Sequence, residues 1–130
     1  MSDSPDEALS APGSVCWTEL ATSDMPASEK FYSELFGWKF EAPPGMDGYK
    51  MVMSGDMPVA GMMDKSEHCD GPPLWLSYIH VEDVSASLQK AVDLGAEEMR
   101  GVTEIPGKGS FAMIKDPQDG LIAIWQPAGS

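Results

Sequence analysis

Residues 15–38 read VCWTELATSDMPASEKFYSELFGW, and this stretch decides the fold. Val15–Ala21 alternates as a strand, so Val15, Trp17 and Glu19 share one face and Cys16, Thr18 and Leu20 the other. Ser23 or Asp24 then caps a helix, and Pro26 sits in its first turn, where a missing N–H costs nothing. Ala27, Phe31 and Leu35, with Tyr32 and Phe36 beside them, form an apolar stripe at helical spacing. Gly37 ends the helix.

Working outward, three further strands follow: Trp38–Glu41, Gly48–Ser54 and Pro58–Met63, separated by Pro43-Pro44-Gly45 and Gly55-Asp56. The order is β-α-β-β-β. The plan then repeats. Leu74–Val81 is a strand, Asp83 caps a helix carrying Val84, Leu88, Ala91 and Val92, and Gly95 stops it. Strands follow at Glu97–Gly101, Ser110–Lys115 and Leu121–Gln126, the last two joined by the turn Asp116–Gly120. Asp24 and Asp83 stand 59 residues apart, the offset of one internal duplication. The resulting organisation is an acidic, disordered tail at 1–13, a first module at 14–63, a charged linker at 64–73 and a second module at 74–127. The loop Val102–Gly109 reads as a connection or a mobile rim over a pocket.

The net charge of −13 argues against nucleic acid and anionic membrane surfaces as partners, and it favours a cationic ligand where it does more than keep the chain soluble. No apolar run reaches the roughly 20 residues of a membrane helix. The polar, acidic start is no secretory signal, so the expected compartment is the cytoplasm. Two cysteines, Cys16 and Cys69, make no disulfide framework. Ten methionines serve as core filler or as adaptable pocket lining.

Ser23-Asp24, Phe31-Tyr32 and Leu35-Phe36-Gly37-Trp38 resemble the opening module of the vicinal oxygen chelate superfamily, and Asp116-Pro117 with Gly120 resembles its closing turn. That superfamily includes glyoxalase I, the bleomycin-resistance proteins and the extradiol dioxygenases. The resemblance covers about Ser14–Pro127. It implies an α+β fold: two tandem βαβββ modules forming curved mixed sheets around a concave cleft. It also implies a homodimer.

Metal-dependent members place His, Glu or Gln side chains at four strand positions. Here those positions fall on Trp17, Gly61, Leu76 and Ile124, none of which can hold a metal. The slipped neighbours Cys16, Ser77 and Ala123 assemble no site either. His68, in Glu67-His68-Cys69-Asp70, belongs to the linker, and four consecutive residues do not converge on one ion. No metal and no cofactor is therefore expected.

With this strand parity, the ligand-binding wall consists of Trp17, Glu19, Gly61, Leu76, Tyr78, His80, Ile122, Ile124 and Gln126. Gly61 leaves room where relatives carry a metal ligand. Trp75 and Trp125 have the opposite parity, toward the helices. Such a wall suits a small organic ligand, aromatic or cationic. Glu19 and Tyr78 occupy equivalent positions and either orient that ligand or hold each other. Glu19 and His80 are the catalytic candidates for the alternative, a lyase, isomerase or dioxygenase acting on a small carbonyl or hydroxy compound through a nonstandard site. A protein–protein module, recognising a partner through a sheet surface or the acidic tail, is a third reading.

Overall fold

A computed structural model describes residues 11–45, 48–64 and 73–129. Most of the tail, most of the linker and the Glu67–Asp70 cluster lie outside the described residues. Ten elements follow in order: β1 (Val15–Thr22), α1 (Met25–Phe36), β2 (Lys39–Glu41), β3 (Tyr49–Ser54), β4 (Met57–Asp64), β5 (Leu74–His80), α2 (Val84–Asp93), β6 (Glu97–Ile105), β7 (Gly109–Lys115) and β8 (Leu121–Pro127). The fold is α+β. By compactness the chain divides within β1 and β5, into a unit Trp17–Leu76 and a unit of Met1–Cys16 with Ser77–Ser130. We refer to them as the N-terminal and C-terminal units.

The N-terminal unit carries a mixed sheet in the order β2-β3-β4-β1, with β1 parallel to β4 and the other pairs antiparallel. The C-terminal unit repeats it as β5-β8-β7-β6, with β5 parallel to β8. Both helices start on an aspartate. Asp24 Oδ1 accepts from Ala27 N at 3.0 Å, and Asp83 Oδ1 accepts from Ala86 N at 3.0 Å, each satisfying an N–H that the helix leaves without a partner. Gly37 closes α1 in the left-handed conformation (φ 75°), donating to Ser33 O at 2.9 Å.

Each sheet buries one face beneath its helix. In the N-terminal unit Leu20, Val52, Ala60 and Met62 form the core, with Met25, Tyr32, Trp38 and Phe40 packed on it. In the C-terminal unit Val84, Leu88, Ala112, Ile114 and Ile124 do the same. Pleat alternation sends the neighbouring residues to the opposite face.

Three expectations change. First, the Ala27–Phe31–Leu35 stripe faces outward: Phe31 is 59% and Leu35 57% exposed. The side of α1 turned to the sheet carries Met25, Ser28, Glu29 and Tyr32. Ser28 is held by Thr22 across a hydroxyl–hydroxyl bond of 3.0 Å, and Glu29 by Lys50 of β3 at 2.7 Å. These polar ties from the sheet draw the less apolar side of the helix inward. Second, the Val102–Gly109 loop is mostly strand: β6 continues to Ile105, paired with Gly109, and the connection shrinks to Pro106–Lys108. Third, the end of the tail is tethered, since Gly13 N donates to His80 O at 2.8 Å and His80 N donates to Ser14 O at 2.9 Å.

Denaturant unfolding of dilute protein checks the orientation of α1. Met62→Ala should cost about 2–5 kcal/mol as a fully buried side chain, and Asp24→Ala about 1 kcal/mol as a cap. Leu35→Ala should stay within about 0.5 kcal/mol. A loss at Leu35 equal to that at Met62 would place the stripe in the core.

Candidate functional site

The sheet face opposite α1 in the N-terminal unit holds the chemistry. Glu19 pairs with Gly61 in the parallel β1/β4 register, and Gly61 pairs with Met51 in the antiparallel β3/β4 register. Counting by twos from these pairs puts Trp17, Glu19, Tyr49, Met51, Gly61 and Met63 on one face. Glu19 is buried, at 5% exposure, whereas Trp17, Tyr49, Met51 and Met63 are half-buried.

Tyr49 is the hinge of the arrangement. Its hydroxyl oxygen accepts from Trp17 Nε1 at 3.3 Å, and its O–H donates to the Glu19 carboxylate. Gly61 makes this possible: a Cβ there would collide with Tyr49 Oη and come within 3.1 Å of Glu19 Oε2. Burial first, then the negative charge of Glu19, push the Tyr49 phenol well above its ordinary range, and the Trp17 N–H opposes this. The phenol stays protonated and keeps its donor aimed at the carboxylate. Sequence reasoning treated Gly61 as open space, but the Tyr49 hydroxyl occupies it. The missed signal was an aromatic residue on β3 two residues before the partner of that glycine.

In the C-terminal unit, Tyr78 pairs with Ala123 and His80 with Trp125 in the parallel β5/β8 register. Tyr78 packs on Phe111, with ring centroids 6.1 Å apart, and edge-on to Trp125 at 6.5 Å. Arg100 lies over the Phe111 ring at 5.3 Å. The Nδ1 of His80 is buried without a hydrogen-bond partner among the described residues. Cys16 donates weakly from Sγ to Tyr78 O at 3.5 Å, and burial pushes its thiol pKa up, so it is an unreactive packing residue.

The last strand corrects the expected wall. Ile124 belongs to the core beneath α2, with Ile122 packed against it. Gln126 is turned the same way, its Oε1 accepting from Val84 N at 2.9 Å and so satisfying the start of α2. Ala123 and Trp125 take the other face, so Trp125 does not point to the helix as its assigned parity required. The run LIAIW is apolar throughout and carries no alternation to set its phase. Trp75 does lie on the helix side, donating from Nε1 to Tyr32 Oη at 3.3 Å. Leu76, at 1% exposure, is a core residue.

Of the four positions that the superfamily resemblance assigns to metal ligands, Trp17 and Gly61 lie on the face of Glu19, Leu76 is buried and Ile124 lies in the core beneath α2. None offers a metal-binding atom, so these residues do not fit a divalent ion. Among the described residues no group of three or more His, Cys, Asp or Glu is placed to hold one. No helix among them is long and apolar enough to cross a membrane.

Duplicated βαβββ units with this strand order define the vicinal oxygen chelate fold. The chain belongs to the Glyoxalase/Bleomycin resistance protein/Dioxygenase superfamily, whose profile matches residues 14–123. It is similar to "Putative glyoxylase CFP32" of Mycobacterium tuberculosis (strain CDC 1551 / Oshkosh), with 34% identity over 88% of this chain and 46% of that protein. It is also similar to the anthracycline biosynthesis protein DnrV of Streptomyces peucetius, with 28% identity over 89% of this chain and 48% of that protein. The chain thus spans about half the length of these curated relatives. Among solved structures, the Mn(II)-bound glyoxalase of Novosphingobium aromaticivorans matches with a TM-score of 0.57 at 13% identity, over 86% of this chain and 38% of that one, a likeness of fold alone.

The Tyr49–Glu19 pair has a measurable signature. Replacing Glu19 by Gln removes the negative charge, so near-ultraviolet phenolate titration should show the Tyr49 pKa falling toward the ordinary value of about 10. In the native protein the phenol is protonated in the folded state after it has ionised in the unfolded state. Stability from this group is thus complete below about pH 10 and falls as pH rises beyond it. Denaturation midpoints in alkaline buffers should drop more steeply for the native protein than for Tyr49→Phe.

Proposed function

We propose that this chain is a small-molecule-binding protein of the glyoxalase/bleomycin-resistance type that works without the usual divalent metal and without another cofactor. The ligand is a small aromatic molecule, favoured when it carries positive charge, and it lies on the N-terminal face of Trp17, Tyr49, Met51 and Met63. The observation that carries this reading is the Trp17–Tyr49–Glu19 network over Gly61. It sets a fixed phenol and a buried carboxylate around Gly61, the position that the superfamily resemblance assigns to a metal ligand. Trp17 offers a ring face and the methionines offer adaptable, polarisable walls. The net charge of −13 adds attraction for a cation. The relative named for anthracycline biosynthesis supports an aromatic ligand.

The protein works as a homodimer in this reading, as its membership of the superfamily implies. The unpaired Cys16 suits a reducing compartment such as the cytoplasm.

The buried carboxylate also favours a second reading, proton transfer on a small carbonyl compound with Glu19 as the base and Tyr49 as the hydrogen-bond donor that steadies it. Loss of turnover in Glu19→Gln on such a compound would establish it.

Calorimetric titration with planar aromatic amines, neutral aromatics and aromatic acids of matched size tests the binding reading. Amines should bind tightest and acids weakest. Trp17→Ala should weaken the amines and neutral aromatics at least tenfold. Glu19→Gln should flatten the ranking by charge, and chelator treatment should change nothing. Binding that requires a stoichiometric divalent ion, or that ignores both substitutions, overturns this assignment.

A further inference from the structure

The outward stripe of α1 is the most unusual surface of the N-terminal unit. Ala27, Phe31 and Leu35 stand four residues apart on one side of the helix, and with Lys30 and Glu34 they line one shallow groove. Phe31 and Leu35 are more than half exposed, on the side of α1 turned from the sheet. A stripe of this spacing ordinarily faces a core. Here Met25, Ser28, Glu29 and Tyr32 face the sheet instead; Phe31 meets Tyr32 edge-on at 5.0 Å, and the outer side of the stripe lies open among the described residues.

We infer that this face of α1 docks against the same face of a second copy of the chain, as an antiparallel, isologous helix pair. The inference rests on the dimer reading above and goes further by assigning the contact surface. Charge favours a second copy as the occupant. At a net charge of −13, most surfaces of two copies repel one another. The groove holds one lysine and one glutamate, so it is neutral, and it is self-complementary. Lys30 and Glu34 lie on the same flank of the stripe. A two-fold axis normal to the helices and centred between them sets Lys30 of one copy beside Glu34 of the other, twice over. The same operation sets small Ala27 near the other copy's Leu35, leaving Phe31 of both copies in the middle.

A 12-residue helix is only about 18 Å long. Such a contact buries less than the roughly 800 Å² per partner of a standard interface. The dimer should therefore be weak, with a Kd on the order of micromolar.

Sedimentation equilibrium of the full chain across that concentration range tests the inference. Wild type should fit a monomer–dimer equilibrium. Phe31→Glu should raise the Kd at least tenfold with unchanged circular dichroism, since the side chain is mostly exposed. Lys30→Glu and Glu34→Lys should each raise the Kd by placing like charges opposite one another. The double exchange K30E/E34K should restore it, which a merely structural effect would not do. A dimer indifferent to all of these substitutions overturns the assignment of this face while leaving the dimer reading intact. A chain monomeric throughout overturns both. A lone Phe31→Glu effect without charge-swap rescue overturns the antiparallel geometry.

Discussion

The pairing of Glu19 with Gly61 across parallel strands β1 and β4 is the constraint on which the N-terminal unit turns. A parallel pair cannot be joined by a tight turn, so the chain must leave β1 and travel before it returns as β4. It does so through α1, β2 and β3, which supply the helix covering one face and the strand carrying Tyr49 on the other. Once Glu19 and Gly61 are opposite one another, the pleat dictates the rest. Leu20 and Met62, the next pair in the register, must turn beneath the helix into the core. A buried carboxylate without a donor would be costly, and the glycine lets a phenol reach it. A one-residue slip of β1 would turn Leu20 out of the core and carry Trp17 and Glu19 beneath α1, breaking the network at once.

Much of this was legible in the residues. The caps at Asp24 and Asp83, the αL stop at Gly37 and the repeat offset gave the elements and their order, because each is a local signal with a local cause. The two failures of face assignment have a common cause in signals that are not local. β8 is apolar on both faces, since it lies inside its sheet between β5 and β7, so its composition could not reveal which side lay beneath α2. In α1 the apolar stripe was read correctly as a stripe but assigned to the wrong side. The hydroxyl of Thr22 and the ammonium of Lys50, both supplied by strands outside the helix and the second 21 residues from its partner, make a polar side of the helix the inward one. Gly61 was recognised as a gap, yet Tyr49, twelve residues earlier in the chain, fills it.

The two units show how one backbone plan can carry different chemistry. Glu19 of β1 corresponds to Tyr78 of β5 by the repeat offset. Tyr49 of β3 corresponds to Phe111 of β7, each two residues before the strand partner of the residue paired with Glu19 or Tyr78, namely Gly61 or Ala123. The N-terminal unit thus holds a carboxylate and a phenol where the C-terminal unit holds a phenol and a phenyl ring. The first pair is a hydrogen bond with charge behind it, the second a ring contact. The polar pair can orient a ligand by direction, whereas the aromatic pair contributes area and stiffness.

Under the metal-free reading proposed for this chain, the absence of metal ligands need not leave a hole. A divalent ion holds its ligand side chains together by charge, and without it the freed positions must be filled or satisfied in another way. In the N-terminal unit Trp17, Tyr49 and Glu19 form a chain of donors running from an indole N–H through a phenol to a carboxylate. Each link orients the next, so the carboxylate is held in place while it remains an acceptor with charge to offer. On that reading the site presents an anion and a ring in place of a cation that grips oxygen atoms. A metal-free site of this kind, as proposed for the chain, would repel pairs of anionic oxygens, whereas a flat ring with a positive end would meet both of its features at once.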